Sequence, residues 1–123
     1  MKVFLDDVRT MKGTDWVIAR NFEGFKGAIG DYQTEITLIS FDHDLGKDTQ
    51  NGLQCANWLV NSMEGANPTI RLPALEAITI HSSNPPGSEG IMAMFTFAKK
   101  YGIIPDTIRI IRLNTVDLSD VEA

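Results

Sequence analysis

The sequence predicts an α/β domain built on a parallel sheet covered on both faces. Short continuous apolar runs such as Val3-Phe4-Leu5 and Ile78-Thr79-Ile80 read as strands buried on both sides. Segments with a 3.6-residue apolar period lie between most of them. The connections are short, which favours alternating strand and helix with right-handed crossovers.

Taken in order, the first strand is Val3 to Leu5, and after a loop over 10–15 the run Trp16-Val17-Ile18-Ala19 forms the second. About ten residues without helical periodicity join these two, near the lower limit for a parallel crossover. Asn21 caps a helix whose Phe22, Phe25 and Ile29 share one face, weakened by Gly24, Gly27 and Gly30. Ile36 to Phe41, rich in β-branched residues, is the third strand. From Gly52, the residues Leu53, Ala56, Leu59, Val60 and Met63 line a second helix that ends near Gly65. Leu75 to Ile80 is the fourth strand. Pro85-Pro86-Gly87 then breaks the chain before a third helix marked by Ile91, Met94, Phe95, Ala98 and Tyr101, closing at Gly102. Thr107 to Leu113 is the fifth strand, and the tail after Asn114 is expected to add a short turn. No repeat or linker divides residues 1–123, so one domain is expected.

Composition narrows the classes. The 123 residues are 43% apolar, enough for one core. A single cysteine, Cys55, precludes an internal disulfide and points to a reducing compartment. Without a metal-spaced partner it reads as an inert buried thiol. No apolar stretch approaches the roughly 20 residues of a membrane span, and Asp6 and Asp7 bring charge too early for a signal peptide, so a soluble cytoplasmic protein is expected. The net charge of −5 argues against sequence-blind DNA or RNA binding, which depends on lysine and arginine displacing counterions. There is no P-loop, dinucleotide fingerprint or zinc pattern.

Three strands end in chemically loaded segments: Asp6-Asp7-Val8-Arg9, Asp42-His43-Asp44-Leu45-Gly46 and His81-Ser82-Ser83-Asn84. Neighbouring parallel strands would gather these groups at the sheet edge where open α/β sheets place ligands. An isolated aspartate after a strand usually starts a turn. Four together point to metal or phosphate chemistry, with Asp6, Asp7, Asp42 and Asp44 as candidate ligands. Magnesium is the first expectation and manganese the second.

Histidine titrates near neutrality, so His81 is the candidate general acid or base. His43 is either its partner or an orienter of the loop, because in an extended backbone it would point away from Asp42 and Asp44. Arg9 can grip phosphate bidentately, and Ser82, Asn84 and Ser88 surround a helix start suited to an anion. Trp16 lines the site or covers the sheet edge.

Leu-Asp-Asp-Val-Arg at 5 to 9, Ser-Phe-Asp-His-Asp-Leu-Gly at 40 to 46 and His-Ser-Ser-Asn-Pro at 81 to 85 resemble the signatures of the cyclic-phosphate processing receiver domain. Their order and spacing also agree, and the resemblance runs from about Lys2 to Gly102. It implies a flavodoxin-like, receiver-like three-layer α/β/α fold with five parallel strands in the order 2-1-3-4-5 and a reduced first helix. It matches Asp6 and Asp7 to the receiver's acidic pair, Asp42 to its phosphoacceptor and His81 to its hydroxyl-bearing switch position. The fifth strand, Ile108 to Asn114, lacks the receiver's lysine followed by proline. That omission argues against phosphorelay signalling.

The leading expectation is a metal-assisted phosphodiesterase acting on a cyclic phosphate of a nucleotide or an RNA end. Asp42 belongs to both the metal set and the catalytic set, with His81 and His43. The alternative is a non-catalytic module that binds a nucleotide or phosphate ligand or signals to a partner. Loops 10–15, 47–51 and 65–73 would set specificity, and they contain no readable base-recognition motif.

Overall fold

The computed structural model describes residues 1–47, 49–82 and 84–113. The elements are β1 (Lys2–Leu5), β2 (Trp16–Ala19), α1 (Phe22–Asp31), β3 (Leu38–Phe41), α2 (Gly52–Met63), β4 (Ala77–Ile80), α3 (Pro85–Lys100) and β5 (Arg109–Arg112). All four pairings are parallel and the order is β2-β1-β3-β4-β5. This is the flavodoxin-like receiver arrangement. The strand order reverses between β1 and β3, which puts a crevice beyond their C-terminal ends.

Alternation along the strands sends Val3, Leu5, Ile39, Phe41, Ile78 and Ile80 into the main core with the buried residues of all three helices. Phe4, Met11 and Trp16 form a smaller cluster on the other face, joined by Ile18, Leu38 and Leu113. Among the described residues, the cover over that face comes from the β1–β2 loop through Met11 and not from a helix. The reduced first helix is thus absent: residues 6–15 form no regular element. The expected turn after Asn114 lies outside the described residues.

Strands β3, β4 and β5 are shorter than their apolar runs suggest. Ile36 and Leu75 are buried, but their N–H groups close turns onto Tyr32 and Leu72 and do not join the ladder. Apolar periodicity marks burial, and here burial extends past the strand. The expected break at Pro85-Pro86-Gly87 is corrected too, because these residues are the first turn of α3. Helix-start N–H groups have no intrahelical acceptor, so proline costs nothing there. Asn84 caps that turn by accepting from Gly87 N at 3.0 Å. Asn51 closes a capping box with Gln54 on α2, and Asn21 caps α1 despite its three glycines.

Candidate functional site

Strand register builds the site. Leu5 pairs with Phe41 and Phe41 with Ile80, so the next residues, Asp6, Asp42 and His81, form one row. Their backbone N–H groups continue the ladder, onto Ala19, Leu5 and Phe41 respectively. Period-two alternation puts their side chains on the face of Phe4, Ser40 and Thr79. The three residues are buried, and one ligating atom from each lies within 4.8 Å of the others.

Asp6 is fully enclosed and fully bonded. Its Oδ1 accepts from the backbone N–H of Val8 at 3.0 Å and of Arg9 at 2.7 Å. Its Oδ2 faces Arg9 Nε at 2.7 Å and His81 Nε2 at 3.1 Å. Burial alone would raise its pKa, but the His81 hydrogen bond, the two backbone donors and the Arg9 charge outweigh burial and hold the carboxyl well below the usual range. Asp42 is shifted the other way: burial and the neighbouring Asp6 charge raise its pKa against the opposing pull of His81 and Arg9. Its Oδ1 accepts from His43 N at 2.8 Å and its Oδ2 from Arg9 Nη2 at 3.2 Å.

The cation at the acid pair therefore comes from the β1 loop. Arg112, at the end of β5, instead approaches Glu89 of α3 at 3.9 Å. Arg20, which the sequence reading passed over, donates to the carbonyls of Asp6 and Arg9 and to the Thr10 hydroxyl, and so shapes the loop that carries Arg9. Its only sequence signal is its place directly after an apolar strand.

His81 is stacked on one face and bonded at both nitrogens. Its ring stacks on Phe4 with centroids 4.5 Å apart and planes 10° from parallel. Trp16 meets Phe4 edge-on, one layer behind, so it supports the site without lining it. Thr79 Oγ1 donates to Ser40 Oγ at 2.7 Å, and Ser40 Oγ lies 2.7 Å from His81 Nδ1. Nε2 in turn faces the Asp6 carboxylate and donates to it, while Ser40 Oγ can donate to Nδ1 or accept from it.

His43 is the more accessible imidazole. The chain turns after Phe41, so His43 does not point away from its acidic neighbours as an extended backbone would require. Its Nδ1 lies 2.8 Å from Asp44 Oδ1. The His43 hydrogen bond lowers the Asp44 pKa against its slight burial, with help from Asn84, so Asp44 is an ionised acceptor. Asn84 Nδ2 reaches both Asp44 oxygens at 3.3 Å. Among the described residues nothing engages His43 Nε2.

Two glycines make this packing possible. A Cβ on Gly87 would stand 2.3 Å from His43 Cγ, and one on Gly52 would stand 1.8 Å from the Asp42 carbonyl oxygen. The helix starts therefore press directly on the acidic loop.

Several expected residues stand apart. Asp7, expected as a ligand, is outside the three-residue group and makes no side-chain hydrogen bond among the described residues, because the turn that gives Asp6 its two N–H donors carries the chain away. Asp44, the fourth expected ligand, is exposed and committed to His43 and Asn84. Ser88, expected at the substrate, is fully buried and donates to the Ser82 carbonyl at 3.3 Å, so it supports the loop from inside. Ser82 is nearly buried and its hydroxyl accepts from Asn84 N. Cys55 is the buried thiol expected, its pKa pushed up to about 12 by burial.

The profile of the cyclic-phosphate processing receiver domain matches residues 1–97. The chain belongs to that family. The matched span contains all three loaded strand ends and β1 through β4. No curated protein and no solved structure matches the chain. Among the described residues no helix is long and apolar enough to cross a membrane.

Proposed function

We propose that this receiver domain is a metal-assisted phosphodiesterase that opens a cyclic phosphate of a nucleotide or RNA end. One observation carries the reading: a carboxylate pair with an imidazole, Asp6, Asp42 and His81, adjoins an accessible imidazole already oriented by a carboxylate. The two are coupled through the 2.8 Å bond from His43 N to Asp42.

The donor set fits a divalent ion. Each carboxylate spends Oδ1 on backbone N–H groups, so the two Oδ2 atoms converge with His81 Nε2, which would ligate after giving up its proton while Nδ1–H donates to Ser40. Two carboxylate oxygens with one nitrogen suit manganese better than magnesium, which favours oxygen alone. Asp6, Asp42 and His81 would hold the ion, and when bound it would polarise the phosphoryl oxygens and acidify a water.

The remaining chemistry falls to the chain's own residues. Asp44 keeps the His43 proton on Nδ1, so Nε2 is the basic nitrogen. It takes a proton from the attacking water as the new P–O bond forms, and returns one to the ring oxygen that leaves. The Arg9 guanidinium, forked and always charged, is the phosphate grip. His81, enclosed with both nitrogens bonded, holds Asp6 in place and is better suited to ligation than to proton transfer with solvent. The same saturation favours the second reading, a binding module that leaves its ligand intact.

The test is incubation with a panel of cyclic phosphates, 2′,3′-cyclic and 3′,5′-cyclic nucleotides and RNA with a cyclic end, with and without manganese. Ring opening that needs the metal is expected. Quantitative recovery of every intact ligand after prolonged incubation would overturn the enzyme and leave the binder.

A further inference from the structure

Beneath the Arg9 guanidinium lie the two carboxylates of the candidate metal site, and both of the oxygens not taken by backbone are bonded to it. Asp6 Oδ2 is 2.7 Å from Arg9 Nε, and Asp42 Oδ2 is 3.2 Å from Arg9 Nη2. The Arg9 side chain is 31% exposed, while those of Asp6 and Asp42 are 0% and 7% exposed. Arg9 is thus the solvent-facing member of the trio, and an ion approaching the Oδ2 atoms meets it first. Neither nearby arginine is free to replace it: Arg20 is occupied with backbone carbonyls and the Thr10 hydroxyl, and Arg112 with Glu89.

We propose that Arg9 is the resident cation of the acid pair and that it is exchanged. A divalent ion takes its place between Asp6 and Asp42, and the released guanidinium closes on the phosphate, so metal and anion bind cooperatively through this one side chain. The inference rests on the metal site of the proposed function and adds its regulation. The physical reason is charge bookkeeping in a buried place. Two carboxylates withdrawn from water need a counter-charge, and a guanidinium and a divalent ion crowded onto the same two oxygens would repel each other at close range in a poorly screened place. Evicted alone, Arg9 loses two charge-assisted hydrogen bonds. Evicted beside a bound tetrahedral anion, it regains them on phosphate oxygens. Each ligand therefore lowers the cost of binding the other, and the coupling must be reciprocal.

The experiment uses the whole chain, labelled with 15N-arginine, titrated with magnesium chloride, the diamagnetic stand-in for manganese, with and without saturating inorganic phosphate, beside a calorimetric titration with manganese. It is repeated with Arg9→Gln, which removes the charge and identifies the Arg9 Nε–H resonance. In the unaltered protein, phosphate should tighten magnesium binding by about 5–150-fold, the common range of allosteric coupling, and the Arg9 resonance should move as magnesium saturates. Arg9→Gln should bind magnesium about tenfold or more tightly in the absence of phosphate, and the coupling should vanish. Coupling that persists undiminished in Arg9→Gln would arise from direct metal–phosphate contact and would overturn the exchange. Should Arg9→Gln fail to fold, an Arg9 resonance unmoved through magnesium saturation of the unaltered protein overturns it equally. No magnesium or manganese binding to either protein would instead remove the metal site, and with it the proposed function.

Discussion

Gly87 lies flat against the His43 ring, so close that a β-carbon on it would meet Cγ, Cδ2 and Nδ1 at 2.3 to 2.7 Å. The start of α3 is therefore the wall that aims the accessible imidazole. Gly87→Ala must push the ring aside. Overpacking of this kind costs about 1–3 kcal/mol, and misplacing a reacting group by about an ångström costs about 10²-fold in rate. Thermal unfolding and turnover of a cyclic phosphate should show both losses, and turnover equal to that of the unaltered chain would mean that His43 takes no part in the chemistry.

The two histidines should separate cleanly. His43→Ala is expected to lower turnover by about 10²–10⁴-fold, the range for general acid–base groups, with little change in melting temperature. His81→Ala removes the ring stacked on Phe4 and strips Asp6 and Ser40 of a partner, so it should lower stability by about 2–5 kcal/mol. Its metal affinity should fall as well. A stable, active His81→Ala protein would dismiss His81 as a ligand.

Stability should depend on pH in two opposed ways. The raised pKa of Asp42 means that the folded chain takes up that proton before the unfolded chain does, so stability rises as pH falls from neutrality through the raised value. The lowered pKa of Asp6 has the opposite sign. Its contribution is complete above the ordinary carboxylate value of about 4 and is lost as pH falls below it. Denaturant midpoints between pH 3 and pH 8 should show the first effect disappear in Asp42→Asn while the second remains. Identical profiles for the two proteins above pH 4 would refute the Asp42 assignment.

Asn84 serves two structures at once, as N-cap of α3 and as donor to Asp44. Asn84→Asp should keep the cap but set two carboxylates against each other, whereas Asn84→Ala should cost about 1 kcal/mol through the cap alone. If Asn84 orients the dyad, Asn84→Asp will raise the pH at which activity develops, because added negative charge favours protonated His43. A pH–rate profile identical to that of the unaltered chain would confine Asn84 to capping.

Much of this was legible in the sequence because the same residues carry two patterns. The run Val3-Phe4-Leu5 shows burial, and the abrupt charge at Asp6 shows where burial ends, so strand and site were read from one signal. Asp42 and His81 followed in the same way. What escaped was set by neighbours distant in sequence. The choice of Asp6 over Asp7 depends on which carboxylate faces His81, 75 residues away. The burial of Ser88 depends on the Ser82 carbonyl folding beneath α3. Gly52 and Gly87 read as ordinary punctuation, since their close contacts are across space, with Asp42 and His43. Arg20 is the same kind of omission: it works on backbone carbonyls, which leave no trace in side-chain patterning.

The segment from Asp6 to Asp15 is the entire link between the interior strand β1 and the edge strand β2. Its reactive end and its connecting duty cannot vary independently. Any residue added or removed there must be absorbed either by the return path to Trp16, anchored where Lys2 N meets the Asp15 carbonyl, or by the turn that presents Asp6 and Arg9. Length variation among homologous chains should therefore avoid this stretch and accumulate in the 65–74 connection, which has no such double obligation. That connection enters β4 at the N-terminal edge of the sheet, opposite the acids, so the 65–73 loop expected to set specificity stands away from the site and can lengthen without reaching it, whereas the short link beside the acids is the place to leave untouched.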